Sequence, residues 1–137
     1  MRGRREKRLR RTGDLVRCLQ GALGRRVTPK LLASVFAALR MEVNQELQDL
    51  ERALVVLPPL LRTGGVLCVL SYQSQEDRRV KQLRLARLRD PLSGELFRME
   101  PLSPKPQRPS LEEAKRNPRA RSARLRAFRR VAILPAI

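Results

Sequence analysis

Five consecutive apolar residues, Val66-Leu67-Cys68-Val69-Leu70, lie between a Thr63-Gly64-Gly65 turn and a polar stretch that opens at Ser71. An uninterrupted apolar run of this length suits a strand covered on both faces, and such strands belong to parallel sheets. Upstream, Leu32, Val35, Phe36, Leu39, Val43, Leu47, Leu50 and Leu54 step by three and four. That spacing predicts one helix over 31–57, stopped by Pro58-Pro59. Downstream, Ser74 with Asp77 three positions on has the pattern of a capping box. The helix it opens would turn Val80, Leu83 and Leu88 toward the sheet and Arg78, Arg79, Lys81, Arg84 and Arg87 away from it. Helix, turn, buried strand and helix in that order is the grammar of a doubly wound α/β fold.

The flanking segments are shorter. Thr12 is placed to cap a helix carrying Leu15, Val16, Leu19 and Leu23, which ends before Gly24. Asp90-Pro91-Leu92-Ser93-Gly94 reads as a turn, and the prolines at 101, 104, 106 and 109 leave room for at most an edge strand over 96–102. Ser110 and Glu113 repeat the capping-box pattern over a short helix ending near Asn117-Pro118. The tail from Ala123 to Leu134 fits a strand or a helix by periodicity alone, and a strand is expected.

At 137 residues the chain has room for one core. Aromatic residues are 3% and tryptophan is absent, so leucine, valine and alanine must fill it. Lysine and arginine outnumber acids 31 to 13, and a net charge of +18 repels itself unless a polyanion neutralises it. Nucleic acid is the first such partner to consider, the more so because 26 of the 31 cations are arginine, whose planar fork matches phosphate. The run from Arg2 to Arg11 adds general phosphate affinity, although charge runs are usually solvated. No apolar stretch approaches the ~20 residues needed to span a bilayer, so no membrane partner is expected beyond surface attraction. The basic N-terminus is positive like a signal or transit peptide, but no apolar core follows it as a secretion signal demands; a cytoplasmic location is expected, with organelle import as the alternative. Cys18 and Cys68 are far apart and histidine is absent, which rules out a usual zinc site and leaves both thiols as small core residues.

Four stretches carry a resemblance. The segment 36–47, FAALRMEVNQEL, is similar to F-x-A-L-R-I-x-V-N-x-E-L. Thr63-Gly64-Gly65 and then 70–81, LSYQSQEDRRVK, are similar to P-G-G and S-[FY]-H-S-L-E-D-R-x-V-K. Lys105-Pro106 through Pro109-Ser110 and Glu112-Glu113 resemble K-P-x-x-P-S-x-E-E, and 117–126, NPRARSARLR, resembles N-P-R-[AS]-R-S-A-K-L-R. Thr12-Gly13-Asp14-Leu15 also looks like the T-x-D-L that precedes this region. Together, in this order and spacing, they resemble the C-terminal half of the RsmH (MraW) family, which methylates the exocyclic N(4) amine of a cytosine in 16S (small-subunit) ribosomal RNA.

The resemblance implies the C-terminal portion of a Rossmann-like, S-adenosyl-L-methionine-dependent methyltransferase fold with part of a helical insert. Residues 1–30 would be a basic segment and the end of that insert, and 31–137 the C-terminal half of the methyltransferase domain. Family members hold the cofactor in their first half, through a glycine-rich loop that has no counterpart here. Gly64-Gly65 precedes a strand and reads as a simple turn. The expectation is a methyltransferase by family whose present chain supplies no cofactor site and does not methylate alone. Its partners would be small-subunit rRNA or the ribosomal subunit, together with the N-terminal half as a separate chain. The rival reading is a non-catalytic basic remnant that binds RNA or the ribosome.

Candidate substrate contacts follow from the same stretches, while the catalytic residue stays unassigned. Tyr72 comes directly after the strand, where α/β sheets place their ligands, and an aromatic ring beside amide and carboxylate groups suits a flipped cytosine. It equally suits packing on a neighbouring loop. Ser74, Glu76 and Asp77 are placed to orient the amine, but Ser74 and Asp77 also explain themselves as helix caps. Asn117, Arg119, Arg121 and Ser122 make a polar, basic loop suited to phosphates or simply to solvent. Asn44 and Glu46 are expected to make buried packing hydrogen bonds. Gln73 stands where the family has histidine, and glutamine cannot exchange a proton near neutral pH. Gln75 replaces leucine and Thr63 replaces proline.

Overall fold

A computed structural model describes residues 9–24 and 27–133, so most of the Arg2–Arg11 run and Leu134 lie outside the described residues. The chain forms two compact units that divide between Gln45 and Glu46.

The first unit is helical. Helix α1 spans Thr12–Leu23, with Arg11 as its N-cap and Gly24 as its C-cap. Thr12 is the first helical residue and not the cap expected of it. The Asp14 carboxylate accepts from the Arg10 and Arg11 amides at 2.9 Å each, and those bonds hold its pKa below the usual value. Helix α2 spans Pro29–Val43; Thr28 Oγ1 accepts from the Leu31 amide at 3.2 Å, and Pro29 takes the first-turn position where a missing N–H costs nothing. The single long helix expected over 31–57 is two helices. Gln45, at φ 54, adopts the left-handed conformation that a helix cannot contain, and α3 begins beyond it as Glu46–Leu60. Asn44 is exposed, and its backbone N–H caps the end of α2.

The second unit is a four-stranded sheet with helices on one face. Strands β1 (Val66–Ser71), β2 (Arg87–Arg89), β3 (Leu96–Pro101) and β4 (Arg124–Ala132) lie in the order β1-β4-β3-β2, and every pairing is antiparallel. β1 is therefore not a parallel strand buried on both faces. It is an edge strand whose Leu67 and Val69 face the core, while Val66, Cys68 and Leu70 are exposed on the other face. Its five apolar residues in a row suit cover on both sides, and among the described residues only one side has it. Cys68 and Cys18 are accordingly exposed thiols, against the expectation that both are core.

Helix α4 (Ser74–Gln82) crosses the covered face and ends earlier than the sequence pattern suggests. A 3₁₀ turn over Leu83–Leu85 follows, and Leu88 reaches the core from β2 instead of from a helix. Asp90 to Glu95 closes the β2–β3 hairpin, the Asp90 carboxylate accepting from the Leu92 and Ser93 amides at 2.9 and 3.0 Å. The strand expected at the sheet edge over 96–102 is β3, and it is internal, because the prolines begin only at its last residue. Helix α5 (Leu111–Arg116) is capped by Ser110 Oγ, 3.0 Å from the Glu113 amide, and a 3₁₀ turn over Pro118–Ser122 leads into β4. The strand reading of the tail holds through Ala132.

Val80, Leu83, Phe97, Met99 and Phe128 form the buried cluster, flanked by Leu50, Leu54, Leu61, Leu67, Val69 and Leu88. Arg130 is buried among them with its guanidinium 4.0 Å from the Phe97 ring centre. It donates to the carbonyls of Pro59 and Leu61 at 2.9 and 2.5 Å and to Asp90 at 2.5 Å. Those carbonyls belong to the end of α3, where helix acceptors have no intrahelical partner. Arg130 thus caps the carbonyls at the end of α3, which runs through Pro58 and Pro59 to Leu60 instead of stopping at Leu57.

Candidate substrate and RNA-contact site

Two of the resembling stretches meet at one end of the sheet. Ser71, the last residue of β1, is the register partner of Arg124, the first of β4. The buried Ser71 hydroxyl donates to the Arg124 carbonyl at 3.4 Å. Tyr72 and Gln73 therefore leave the sheet beside the place where Ser122 enters it. Tyr72 is half-exposed, and Ser74, Asn117, Arg119, Arg121 and Ser122 are exposed. Lys105-Pro106 to Ser110 also runs to this end, since Gln107 and Leu125 exchange backbone hydrogen bonds at 2.9 Å.

The start of α4 differs from its sequence reading. Gln73 is the N-cap, and Glu76 is the acid that closes it: Glu76 Oε2 accepts from the Tyr72 and Gln73 amides at 2.9 and 3.0 Å. Ser74 is inside the helix. Asp77 is no cap either. Its carboxylate takes a two-pronged contact from Arg126, at 2.7 Å from Nε and 3.2 Å from Nη2, with Arg124 at 3.9 Å. The Arg126 hydrogen bond is the main cause of a lowered Asp77 pKa, opposed by partial burial. Asp77 remains an anion that locks α4 onto β4 and has no capacity to accept a substrate proton near neutrality.

Sequence reasoning missed Arg124 and Arg126. The available signal was the strand alternation of Arg124, Arg126, Phe128 and Arg130, which puts all four on one face with the apolar core residue. With Asp77 and Glu76 engaged and the Gln73 side chain drawn to the Glu76 amide by the capping box, the groups left open at this end are the Tyr72 ring, the Ser74 hydroxyl, the rest of the Gln73 amide and the cations of the Asn117–Ser122 turn. That set can stack a base and bind phosphate. A groove of about 250 Å³ between α3 and α4, lined by Glu51, Leu54, Arg79 and Leu83 among others, includes none of these residues.

The Gly64-Gly65 pair does not fit a cofactor loop. Gly64, at φ 83, donates to the Arg130 carbonyl, and the Gly65 carbonyl accepts from the Arg130 amide, both at 2.9 Å. A Cβ on Gly65 would lie 2.8 Å from the Arg62 carbonyl oxygen. The glycine pair is thus a turn stitched into the β1–β4 ladder, with its backbone engaged. Among the described residues there is also no group of three or more His, Cys, Asp or Glu able to hold a metal, and no helix long and apolar enough to cross a membrane.

Comparison with known proteins agrees with the motifs. The ribosomal RNA small subunit methyltransferase H of Chelativorans sp. is 42% identical over 139 residues, covering 95% of this chain and 41% of the relative. The protein of the same name from Thermomicrobium roseum is 45% identical over 127 residues, covering 86% and 38%. That from Synechococcus sp. is 50% identical over 96 residues, covering 70% and 27%. The chain thus spans about two fifths of the length of the first of these curated relatives. The model of the MraW methylase family matches residues 1–131, and the chain belongs to that family.

Proposed function

We propose that this chain forms the substrate-side wall of an S-adenosyl-L-methionine-dependent methyltransferase acting on N(4) of a cytosine in 16S (small-subunit) ribosomal RNA. The observation that carries the reading is the meeting of the 71–77 and 117–124 motifs at one sheet end, in a family whose relatives are named for small-subunit rRNA methylation. Tyr72 stacks on the extruded base, while Gln73 and Ser74 hydrogen-bond its polar edge. Glu76 holds the Tyr72 and Gln73 backbone that presents them. Asp77 positions the same turn through Arg126. Asn117, Arg119, Arg121 and Ser122 take the flanking phosphates. Residues 31–137 then correspond to the C-terminal portion of the Rossmann-like domain and 1–30 to the end of its helical insert. The open edge of β1 and its uncovered apolar face support this, because they are where a further strand and its covering helix would add. The cofactor, which supplies the methyl group, would bind to the part of the family that this chain does not cover. The location is cytoplasmic, with the ribosomal subunit.

The test mixes the chain with the uncovered portion of the Chelativorans relative, as a separate polypeptide, and assays methyl transfer to small-subunit rRNA by mass spectrometry. Turnover by the mixture, none by either part, and at least a tenfold loss with Tyr72→Ala are expected. Turnover by the chain alone overturns the division of labour. RNA binding without turnover by any mixture favours the non-catalytic remnant, for which Gln73 in place of the family histidine is the supporting observation.

A further inference from the structure

The sheet face opposite Phe97, Met99 and Phe128 carries a group of cations that the candidate site does not use. Arg87 and Arg89 of β2, Arg98 of β3 and Arg129 of β4 all project from it and are exposed. Arg87 and Arg98 are direct register partners. Arg89 and Arg129 are the diagonal neighbours of Arg98, because Arg98 pairs with Val131. Directly opposed like charges destabilise a sheet. Glu100 is the single acid on these strands' exposed face, 3.7 Å from Arg98 and opposite Arg129. Arg89 donates to the Gly94 carbonyl at 2.6 Å, which orders its guanidinium without neutralising it. Four cations against one anion, two of them face to face, make a net positive surface that an anion would stabilise.

The same face changes character across the sheet. The part nearest the Tyr72 end, on β1 and the start of β4, holds Cys68, Leu70, Leu125 and Ala127, with Val66 opposite Arg129 at its border, whereas the β2 and β3 side is arginine apart from Leu96 and Glu100. Protein interfaces are depleted of charge at their cores, so the apolar half suits a protein cover and the basic half does not. Seven residues of β4 separate Arg124 from Val131, the partner of Arg98, a distance of roughly 24 Å at a strand's rise.

We propose that Arg87, Arg89, Arg98 and Arg129 form a second RNA-binding surface that grips backbone phosphates well away from the Tyr72 end of the sheet. This rests on the reading of the chain as an rRNA-binding protein. Phosphate contacts of this kind fix register and carry no sequence information, so the surface orients the RNA while the Tyr72 end selects the base.

The experiment titrates a labelled small-subunit rRNA fragment with the full chain, with the Arg87→Gln/Arg98→Gln/Arg129→Gln triple variant, and with an Arg52→Gln/Arg62→Gln/Lys105→Gln control of equal charge. Salt is varied, and folding is followed by circular dichroism. The face variant is expected to lose about tenfold or more in affinity at 0.1 M salt and to show a log–log salt slope shallower by about 2, with a smaller change in the control. Arg87→Gln alone relieves the like-charge pair, so it is expected to weaken binding while keeping or raising the thermal midpoint; this separates binding from folding. Equal losses in the two triple variants would leave only general polyanion attraction and overturn the proposal. RNA affinity unchanged in the face variant, with lost association to the uncovered portion of the family, would make the face a protein interface. No RNA affinity in the wild-type chain would overturn the rRNA reading itself.

Discussion

Arg130 combines three jobs that are usually separate: it ends a helix, pins a hairpin and lies over a core aromatic ring. Replacing it by methionine keeps most of the volume but leaves the Pro59 and Leu61 carbonyls and the Asp90 carboxylate without their donor. Breaking one side of a buried pair costs about 3–5 kcal/mol, and the lower end is expected here because Asp90 keeps the Leu92 and Ser93 amides. Urea denaturation of Arg130→Met measures it. The same cluster sets the acid response. The Ser93 amide, then the Arg130 guanidinium and the Leu92 amide, lower the Asp90 pKa to about 2 from 3.8. A carboxylate with a depressed folded-state pKa adds stability above its unfolded value and loses it as pH falls toward the folded one. Stability should therefore decline between about pH 4 and pH 2, with Asp77 contributing in the same direction. Asp90→Asn should flatten that decline while lowering stability at pH 6, and a decline of unchanged depth in the variant would remove Asp90 from the account. Little of this was readable beforehand. A lone arginine in an alternating tail looks like any other of the 26, and only the return of β4 beneath the end of α3 gives it carbonyls to bind.

Among the elements, those with local chemistry were legible and those decided by distant contacts were not. Ser110 before Glu113 marks α5, and Asp90 to Gly94 marks the hairpin turn, because both close with bonds to residues two to four positions away. β2 was read as helix because Leu88 continues the spacing of Val80 and Leu83; its strand geometry comes from pairing with β3, which no local pattern records. The break between α2 and α3 was hidden for a related reason: Val43 and Leu47 keep a four-residue step straight through Gln45. A non-glycine residue in the left-handed region costs roughly 1–2 kcal/mol, part of which glycine returns to the unfolded chain as entropy. Gln45→Gly is expected to raise stability by about 0.5–1 kcal/mol in thermal unfolding. A loss instead would mean that the Gln45 side chain holds the turn. At the candidate site the motifs gave Tyr72 and the Asn117–Ser122 turn as separate segments, and their meeting at one sheet end comes from the β1–β4 pairing; the cap was misassigned, because Gln73 and Glu76 carry out one residue earlier what Ser74 and Asp77 were expected to do.

At the scale of the whole molecule, the decisive feature is the asymmetry of β1. One edge pairs with β4 and one face lies on the core, while among the described residues the other edge has no strand beside it and the other face exposes Val66, Cys68 and Leu70. An open edge with apolar residues on it is a template for a further strand. The chain matches relatives about two and a half times its length, and under the proposed function the part of them it does not span covers that surface. This makes Leu70 a discriminating position. It is 53% exposed, so Leu70→Lys should change the chain's own unfolding free energy by no more than about 0.5 kcal/mol. If the face is closed by the uncovered portion of the family, the same substitution buries a charge in the joint and should abolish association with that portion, measured by analytical ultracentrifugation. It should also reduce self-association of the isolated chain, since the same edge is the one through which two copies would pair. A Leu70→Lys chain that joins its complement as well as wild type does would show that the face stays open to solvent, and β1 would then be an edge strand in that complex too.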